Sequence, residues 1–285
     1  MFVVLGASGN TGKVVAETLL GQKKKVRVVL RDAGKTRAWK EAGADVAIAD
    51  VEDGAALKHA FNGAEGVYVL LPPNFASSQV RVDNGRRTKI IVAAIEAASV
   101  PHVVMLSSIG AHQSDGTGPV LGLRDAEAAL SRATAVTFLR AAYFMENWGG
   151  SLYAVGQGVL PTFLVADKAI PLVATRDIGT AAARLLAEGG GGKRVIELAG
   201  PREYSPRDVA VALERIVGKP IVVQQAPEEA MVPALMGAGM NAEWARLFQE
   251  LTHGINTDVV VWEGGHPLWR GETDLQTVLS TLLGK

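Results

Sequence analysis

The chain has 285 residues, enough for one large domain or two small ones with a substantial core. Lysine plus arginine and aspartate plus glutamate both number 29, and the resulting zero net charge argues against a nucleic acid or an anionic membrane as partner. The absence of cysteine excludes disulfides, thiolate metal sites and cysteine nucleophiles, and the five scattered histidines predict no metal site.

The cellular location of the protein is predicted from its apolar segments and from its N-terminal residues. No apolar run approaches the length of a membrane span, because charges or glycines interrupt every candidate. Met1 leads directly into the first predicted strand, so we expect no signal peptide. We therefore expect a soluble, cytoplasmic protein. The basic runs 23–25 and 86–87 are interpreted as solvated charges at helix ends.

The first predicted element is a buried strand over residues 2–5, followed by a glycine-rich turn and a helix. The glycines follow the pattern G-x-x-G-x-x-G, with Ser8 where the simplest dinucleotide fingerprint has its second glycine. Such glycines let the backbone approach a pyrophosphate, whose charge then lies on the N–H groups at the helix start. A plain turn would need only one of them. The predicted cofactor contacts in this loop are Gly6, Ser8, Gly9, Asn10, Thr11 and Gly12.

Strands and helices alternate through the rest of the first half. The predicted strands are 26–30, 45–49, 66–71, 102–106 and 135–139, and the predicted helices are 34–42, 54–61, 79–99 and 123–133. Strands this apolar, with helices between them, predict a parallel sheet that is covered on both faces. Ligands of such sheets bind beyond the carboxyl ends of the strands.

The second half is less regular. Residues 144–170 are interpreted as a glycine-rich looped insertion, and regular structure returns with a helix over 176–188 and a strand over 194–198. Later helices are predicted from Ser205 onward, over 241–253 and over 273–283.

We predict an α/β fold, a Rossmann-type doubly wound parallel sheet with a smaller, interleaved C-terminal α/β lobe. The Rossmann domain would comprise 1–145 plus about 171–200, and the lobe about 146–170 plus 201–285.

Charged residues follow the second and third predicted strands. Arg31 comes nineteen residues after Gly12, where NAD binders place an acidic residue on the ribose 2′-OH and NADP binders place an arginine near the 2′-phosphate. Lys35 adds positive charge one helical turn later, which favours NADP(H). The neighbouring Asp32 is the candidate for the acidic residue, and Arg31 as a solvated surface charge is the alternative. Asp50 either accepts from the adenine amino group or caps the following helix.

Leu71 and Pro72 end the fourth predicted strand, where the chain should pass the nicotinamide ribose. Proline has no N–H, so this segment offers only carbonyl groups to a ligand. A rigid loop without a binding role is the alternative interpretation.

The motifs together resemble the NmrA-like family of atypical short-chain dehydrogenases, and in particular its quinone-oxidoreductase branch. The resemblance rests on the glycine loop, Arg31, and the segments 107–110, 138–147, 177–179 and 197–201. It implies an NADP(H)-binding Rossmann domain, a small C-terminal lobe, and a cleft between them that faces the nicotinamide. It also implies that Ser107 lies beside the cofactor.

The chain departs from active short-chain dehydrogenases at their tyrosine and lysine pair. The corresponding positions hold Val120 and Arg124. We expect Arg124 to replace the charge of the lysine at the cofactor, but Val120 cannot donate a proton, and the loss of this acid removes a contribution of roughly 10²–10⁴-fold to the rate. Ordinary ketone reduction and sugar-nucleotide epimerisation are therefore disfavoured.

Reduction of a quinone does not require a general acid from the protein, because hydride transfer gives a stabilised hydroquinone anion that water can protonate. The candidates for the substrate pocket are Tyr143, Phe144, Asn147 and His112, with Tyr143 also beside the cofactor. Met145 and Trp148 belong either to the pocket wall or to the core, and His112 is alternatively an exposed loop histidine. No catalytic residue is assigned.

Two functions follow from these observations. The first is an NADPH-dependent oxidoreductase that transfers hydride to a quinone or a similar electron-poor acceptor. The alternative is a non-catalytic NADP(H)-binding redox sensor of the NmrA type. Under both functions the partner is a small molecule, and neither a nucleic acid nor a membrane is expected. A homodimer is possible under either function.

Overall fold

The computed structural model describes residues 1–285. Its strands are β1 (Phe2–Leu5), β2 (Val26–Leu30), β3 (Asp45–Ile48), β4 (Gly66–Val69), β5 (His102–Ser108), β6 (Ala135–Ala141), β7 (Tyr143–Phe144), β8 (Val159–Thr162), β9 (Ile170–Val173), β10 (Lys193–Ala199), β11 (Glu203–Tyr204), β12 (Val222–Gln225) and β13 (Leu268–Arg270). Its helices are α1 (Asn10–Gly21), α2 (Thr36–Glu41), α3 (Gly54–Phe61), α4 (Val80–Ala97), α5 (Val120–Ala133), α6 (Thr175–Glu188), α7 (Pro206–Val217), α8 (Met231–Gly237), α9 (Ala242–Asn256) and α10 (Leu275–Leu282). Short 3₁₀ segments cover Ala33–Lys35, Met145–Gln157 and Glu228–Ala230.

Eight strands form one parallel sheet in the order β13-β10-β6-β5-β4-β1-β2-β3. From β1 the chain builds outward through β2 and β3, then returns to place β4 on the other side of β1. This reversal opens a crevice at the carboxyl ends of β1 and β4, where doubly wound sheets bind their ligands. The predicted Rossmann-type fold is confirmed.

Helices cover both faces of this sheet. On one face the apolar sides of α1 and α6 pack in a cluster of 25 buried residues, and on the other α3, α4 and α5 contribute to a cluster of 21. The strands are apolar on both sides because both faces are buried, as in β1, where every residue is buried. None of the helices combines the length and the apolar composition that a membrane span requires.

A third cluster of 18 buried residues lies between the Met145–Gln157 segment, the short strands and helices α7, α9 and α10. Here β11, β9 and β7 form one small sheet, and β12 and β8 form another. The prediction of a looped insertion over 144–170 was therefore wrong in part, because β7, β8 and β9 pair with segments distant in sequence or separated by loops. Helix α7 begins after Ser205, as predicted, and Ser205 and Asp208 form a capping box at its start.

The division into two domains stays a prediction, and two strands lie across its proposed bounds. β13 comes from the segment assigned to the lobe, yet it pairs with β10 at the edge of the main sheet. β9 comes from the segment assigned to the Rossmann domain, yet it pairs with β7 and β11 and packs in the third cluster.

Candidate functional site

The glycine loop places backbone where no side chain fits. Gly6 has φ +67°, a left-handed conformation that glycine adopts without strain, and its carbonyl accepts from the Gly9 N–H at 2.9 Å. A Cβ on Gly12 would lie 2.4 Å from the carbonyl oxygen of Gly6. Helix α1 therefore starts directly against the turn that follows β1, which is the cradle that a bound pyrophosphate requires.

The start of α1 is open to a ligand. No side chain caps it, and the amide groups of Asn10, Thr11 and Gly12 make no hydrogen bond within the chain. Ser8, Gly9 and Asn10 are exposed, as expected of residues that face a ligand. Free N–H groups at the positive end of a helix attract phosphate.

The side chain of Thr11 faces the opposite way. It is buried, and its Oγ1 accepts from the hydroxyl of Tyr68 at 3.0 Å. Tyr68 lies on β4 and is wholly buried, so this contact fixes the loop to the adjacent strand of the sheet. The predicted contact of Thr11 with a phosphate is thus left to its backbone N–H.

Arg31 is exposed at the end of β2 and takes part in no salt bridge. Its neighbour Asp32 accepts from the Gly34 N–H at 2.8 Å and caps the 3₁₀ turn that follows. The carboxylate is therefore used locally, while the guanidinium is free. Lys35 is exposed at the end of the same turn. This arrangement favours Arg31 over Asp32 as the group that meets the ribose.

A cavity of about 330 Å³ lies at the carboxyl ends of β2, β3 and β4. Its lining includes Arg31, Asp50, Glu52, Pro72, Asn74 and Arg87. Asp50 accepts from the Glu52 N–H at 2.9 Å, and Asp53, not Asp50, caps α3. The structure therefore brings Arg31, Asp50 and Pro72 together, as predicted from three separate strand ends. Leu71 packs against the buried cluster beneath α3, α4 and α5.

Arg87 was missed, because its sequence context indicates a solvated charge at a helix end. In the structure it is only 8% exposed. Its Nε donates to Oε1 of Glu52 at 2.9 Å and its Nη1 to the carbonyl of Pro72 at 3.4 Å. The hydrogen bond from Arg87 lowers the pKa of the Glu52 carboxyl.

The loop after β4 is attached to the start of α9. The indole Nε1 of Trp244 donates to the carbonyl of Asn74 at 2.8 Å, and Nδ2 of Asn241 donates to the carbonyl of Ser77 at the same distance. The ring of Phe75 packs on Trp244 with centroids 4.9 Å apart. The start of helix α9 therefore packs against the loop that follows β4.

Ser107 is not brought into the crevice. It is buried, and its hydroxyl donates to Oε1 of Glu127 on α5 at 2.6 Å. Glu127 forms a bidentate pair with buried Arg140, which also bonds Glu263. Burial lowers the pKa of Arg140, but the hydrogen bonds and charge of Glu127 outweigh it and raise the pKa overall. The predicted contact of Ser107 with the cofactor is not supported by its side chain.

The positions of the missing tyrosine and lysine lie on α5. Val120 is buried in the first turn, so no acid is present there. Arg124 is exposed, and its nearest carboxylate is that of Asp125, at 4.0 Å. The side chain is free to move toward a ligand, and its contact with the cofactor stays a prediction.

In the segment after β6, some residues are buried in the core and others are accessible to solvent. Met145 and Trp148 are buried in the third cluster, whereas Asn147 is exposed. Tyr143 and Phe144 are half-buried. Burial raises the pKa of the Tyr143 hydroxyl, which is therefore protonated at neutral pH. Tyr143 is the one hydroxyl of the predicted pocket.

Sequence reasoning also missed Glu146. Its Oε1 accepts from the N–H and the hydroxyl of Thr175, at 2.9 and 2.6 Å, so it fixes the start of α6 to this segment.

His112 is half-buried rather than exposed, and its Nδ1 is buried without a partner. Burial lowers its pKa below that of a free histidine. The loop that carries it packs under α9 and the segment that follows, where Nε2 of Gln113 donates to the carbonyl of Val259 at 3.1 Å. No group of three or more histidine, aspartate or glutamate residues is arranged to hold a metal ion.

Known proteins share this architecture along the whole chain. NAD(P)H azoreductase of Xenophilus azovorans is 28% identical over 256 residues, 88% of this chain and 86% of that protein. Quinone oxidoreductase 2 of Escherichia coli (strain K12) is 28% identical over 247 residues, 84% of this chain and 82% of that protein. The crystal structure of an NADPH-dependent quinone oxidoreductase from Escherichia coli in complex with NADPH superposes with a TM-score of 0.84, at 25% identity, over 99% of this chain and 100% of that one. The model of the NmrA-like family matches residues 1–276, and this chain therefore belongs to that family.

Proposed function

We propose that this chain is an NADPH-dependent oxidoreductase that transfers hydride to a quinone or a similar electron-poor acceptor. The observation that carries the proposal is that the open start of α1, which follows β1, and the unpaired Arg31, which follows β2, lie at the carboxyl ends of neighbouring strands of the parallel sheet. The names of the two curated relatives, an azoreductase and a quinone oxidoreductase, support the same class of reaction.

The residues fit NADP(H). The amides of Asn10, Thr11 and Gly12 would bind the pyrophosphate, and Arg31, with Lys35 nearby, would bind the 2′-phosphate. A bound nicotinamide would supply the hydride. The chain's own contribution would then be to hold the acceptor flat and to limit the access of water, and Tyr143 and Phe144 are the residues proposed for it.

The absence of a proton donor at position 120 decides which acceptors are suitable. A reduced quinone leaves as a stabilised anion, so water or the Tyr143 hydroxyl suffices as proton source. A simple ketone would require a stronger acid aimed at its oxygen. The buried Val120 and the engaged Ser107 provide none, and burial raises the pKa of Tyr143, which makes its hydroxyl a weaker acid.

The same observation favours a second candidate, a redox sensor that binds NADP(H) without turnover. Under this alternative NADPH and NADP⁺ must bind with different affinities, because a ligand that binds both states equally shifts nothing. NADPH oxidation by the purified protein, measured with benzoquinone, naphthoquinone, menadione and an azo dye, distinguishes the two. Acceptor-dependent oxidation supports the reductase. Tight NADPH binding with no oxidation on any acceptor would overturn it and favour the sensor.

A further inference from the structure

A second cavity, of about 400 Å³, lies beside β10, at the opposite edge of the main sheet from β2 and β3. This volume is within the range of pockets that hold small molecules. Its lining includes Lys193 and Arg194, the first two residues of β10. Because the strands are parallel, these two residues lie at the amino ends, whereas the crevice at β1 and β4 lies at the carboxyl ends. The crevice therefore does not account for this cavity.

The positive charge on this cavity is only partly balanced. Arg140 also lines it, but this guanidinium is paired with Glu127 and with Glu263. Glu263 is the one carboxylate on the cavity, and it is used in that pair. Lys193 and Arg194 form no salt bridge with any carboxylate. Two positive charges of the cavity therefore have no counter-charge within the chain.

These two cations flank the edge of β10 from opposite faces of the sheet, since neighbouring side chains of a strand alternate. Nζ of Lys193 lies 5.7 Å from the centre of the Phe138 ring, and Nε of Arg194 donates to Oγ1 of Thr137 at 3.2 Å. Neither Nη1 nor Nη2 of Arg194 makes a hydrogen bond, and Nη2 is buried without a partner. A partly buried guanidinium with unused donors is unfavourable unless an anion meets it.

The backbone edge between the two cations is open. β13 pairs only with Glu197–Ala199, so the first four residues of β10 have no strand on that side. The N–H of Glu197 points to that side and donates to the carbonyl of Pro267 at 3.0 Å. Because the backbone groups of a strand alternate with a period of two, the N–H of Val195 points the same way and meets no strand. An amide donor thus lies between the two cations.

We propose that this cavity binds the oxyanion group of a small molecule, a phosphate or a carboxylate, between Lys193, Arg194 and the N–H of Val195. Ammonium and guanidinium groups form short, charge-assisted hydrogen bonds with such oxygens, and a guanidinium presents two parallel donors to them. The anion would supply the missing counter-charge and a partner for the strand edge. This site is separate from the one proposed for NADP(H), and it does not depend on the proposed function.

The test follows the ring protons of His102 by NMR while inorganic phosphate or acetate is added to the full chain. His102 is a local reporter, because its Nε2 lies 3.2 Å from the Thr137 hydroxyl that Arg194 also bonds, and because burial and the charge of Arg194 lower its pKa. The spectrum of His102→Gln assigns the resonance. We expect a saturable shift with at least one of the two anions, with a dissociation constant of about 1–10 mM. Chloride at the same ionic strength should not produce it.

The variants Lys193→Met and Arg194→Met should each weaken binding of the anion about tenfold. Lys58→Met is the matched control, because Lys58 is an exposed lysine on α3 and its loss changes the net charge equally. It should leave binding unchanged. So should Arg31→Ala, because an anion held by Arg31 lies at the carboxyl ends of the strands.

Three results would overturn the inference: no saturable shift of His102 with either anion, an equal shift with chloride, or loss of the shift in Arg31→Ala. Unchanged binding in Lys193→Met and in folded Arg194→Met would also overturn it. None of these measurements uses NADPH, so failure of the proposed reductase would leave the inference intact.

Discussion

The hydroxyl of Ser107 donates to Oε1 of Glu127 at 2.6 Å, and both side chains are buried. Ser107 ends β5 near the crevice, where the resemblance to short-chain dehydrogenases implies a contact with the cofactor. Glu127 holds it instead on the face of the sheet that α5 covers, within a charge network that includes Arg140. This serine stabilises the fold below the site.

Replacing Ser107 should therefore affect stability more than activity. Ser107→Ala leaves one oxygen of Glu127 with fewer partners, so we expect the free energy of unfolding to fall by about 1–2 kcal/mol. We expect kcat for NADPH oxidation to stay within about threefold of the wild-type value. Urea denaturation and steady-state kinetics measure the two effects.

Ser131→Ala is the control, because Ser131 lies on α5, the helix that carries Glu127, and its hydroxyl donates only to the backbone carbonyl of Glu127. Its effect on the free energy of unfolding should stay within about 0.5 kcal/mol. A loss of kcat above about a hundredfold in Ser107→Ala, with unchanged stability, would assign the hydroxyl to the reaction.

The glycine loop yields a second prediction. Gly12→Ala puts a Cβ 2.4 Å from the Gly6 carbonyl oxygen, so the loop must shift or α1 must move. We expect a loss of about 1–3 kcal/mol in the free energy of unfolding and at least a tenfold weaker binding of NADPH. Calorimetry and thermal unfolding test both.

Gly21→Ala, at the other end of α1, meets no atom within 4 Å. It should leave binding unchanged and stabilise the chain slightly, since alanine favours a helix over glycine. Normal NADPH binding by Gly12→Ala would show that the turn does not form the pyrophosphate site.

Burial of two histidines predicts a pH dependence of stability. Burial lowers the pKa of His102 and of His112 below the ordinary value of 6.5. The unfolded chain therefore takes up these protons first. Above pH 6.5 both histidines are neutral in the folded and the unfolded chain, and their full contribution to the free energy of unfolding is present. This contribution is lost as the pH falls from 6.5 through the lowered pKa values of the folded chain.

We expect the free energy of unfolding to fall below pH 6.5 by up to about 1.4 kcal/mol per pH unit for each histidine. His102→Gln, which keeps a polar group for Thr137 at that position, should flatten the profile, and the same change at exposed His59 should not. A profile that is flat between pH 7 and 5 in the wild-type protein would contradict this explanation.

The sequence pattern predicts the strands and helices near the cofactor site well, because the bounds of these elements depend on short runs of neighbouring residues. The strands Phe2–Leu5 and Val26–Leu30 and the helix Gly54–Phe61 lie where the short apolar runs and the helical pattern between strands predict them. Arg31 could be identified as a candidate as well, since the role proposed for it depends on its distance from Gly12. The glycines and the strand end together determine that distance.

Other features depend on contacts that no local pattern reveals. The three-residue strand β13 is too short to show a period, and it forms because β10 offers an open edge. Arg87 sits in a polar stretch of α4 and is buried only because Glu52 and Pro72 meet it there. The engagement of Ser107 likewise depends on Glu127, twenty residues away in the chain.

The most direct test of the proposed function is the ratio of kcat/KM for NADPH to that for NADH, measured with a quinone for the wild-type protein, Arg31→Ala and the exposed control Arg37→Ala. We expect the wild-type protein and the control to prefer NADPH. Arg31→Ala should lose about 10–100-fold with NADPH and stay within about threefold with NADH, because only the 2′-phosphate pairs with the guanidinium. Equal losses with both cofactors, or no wild-type preference, would contradict the assignment of Arg31 and of NADPH.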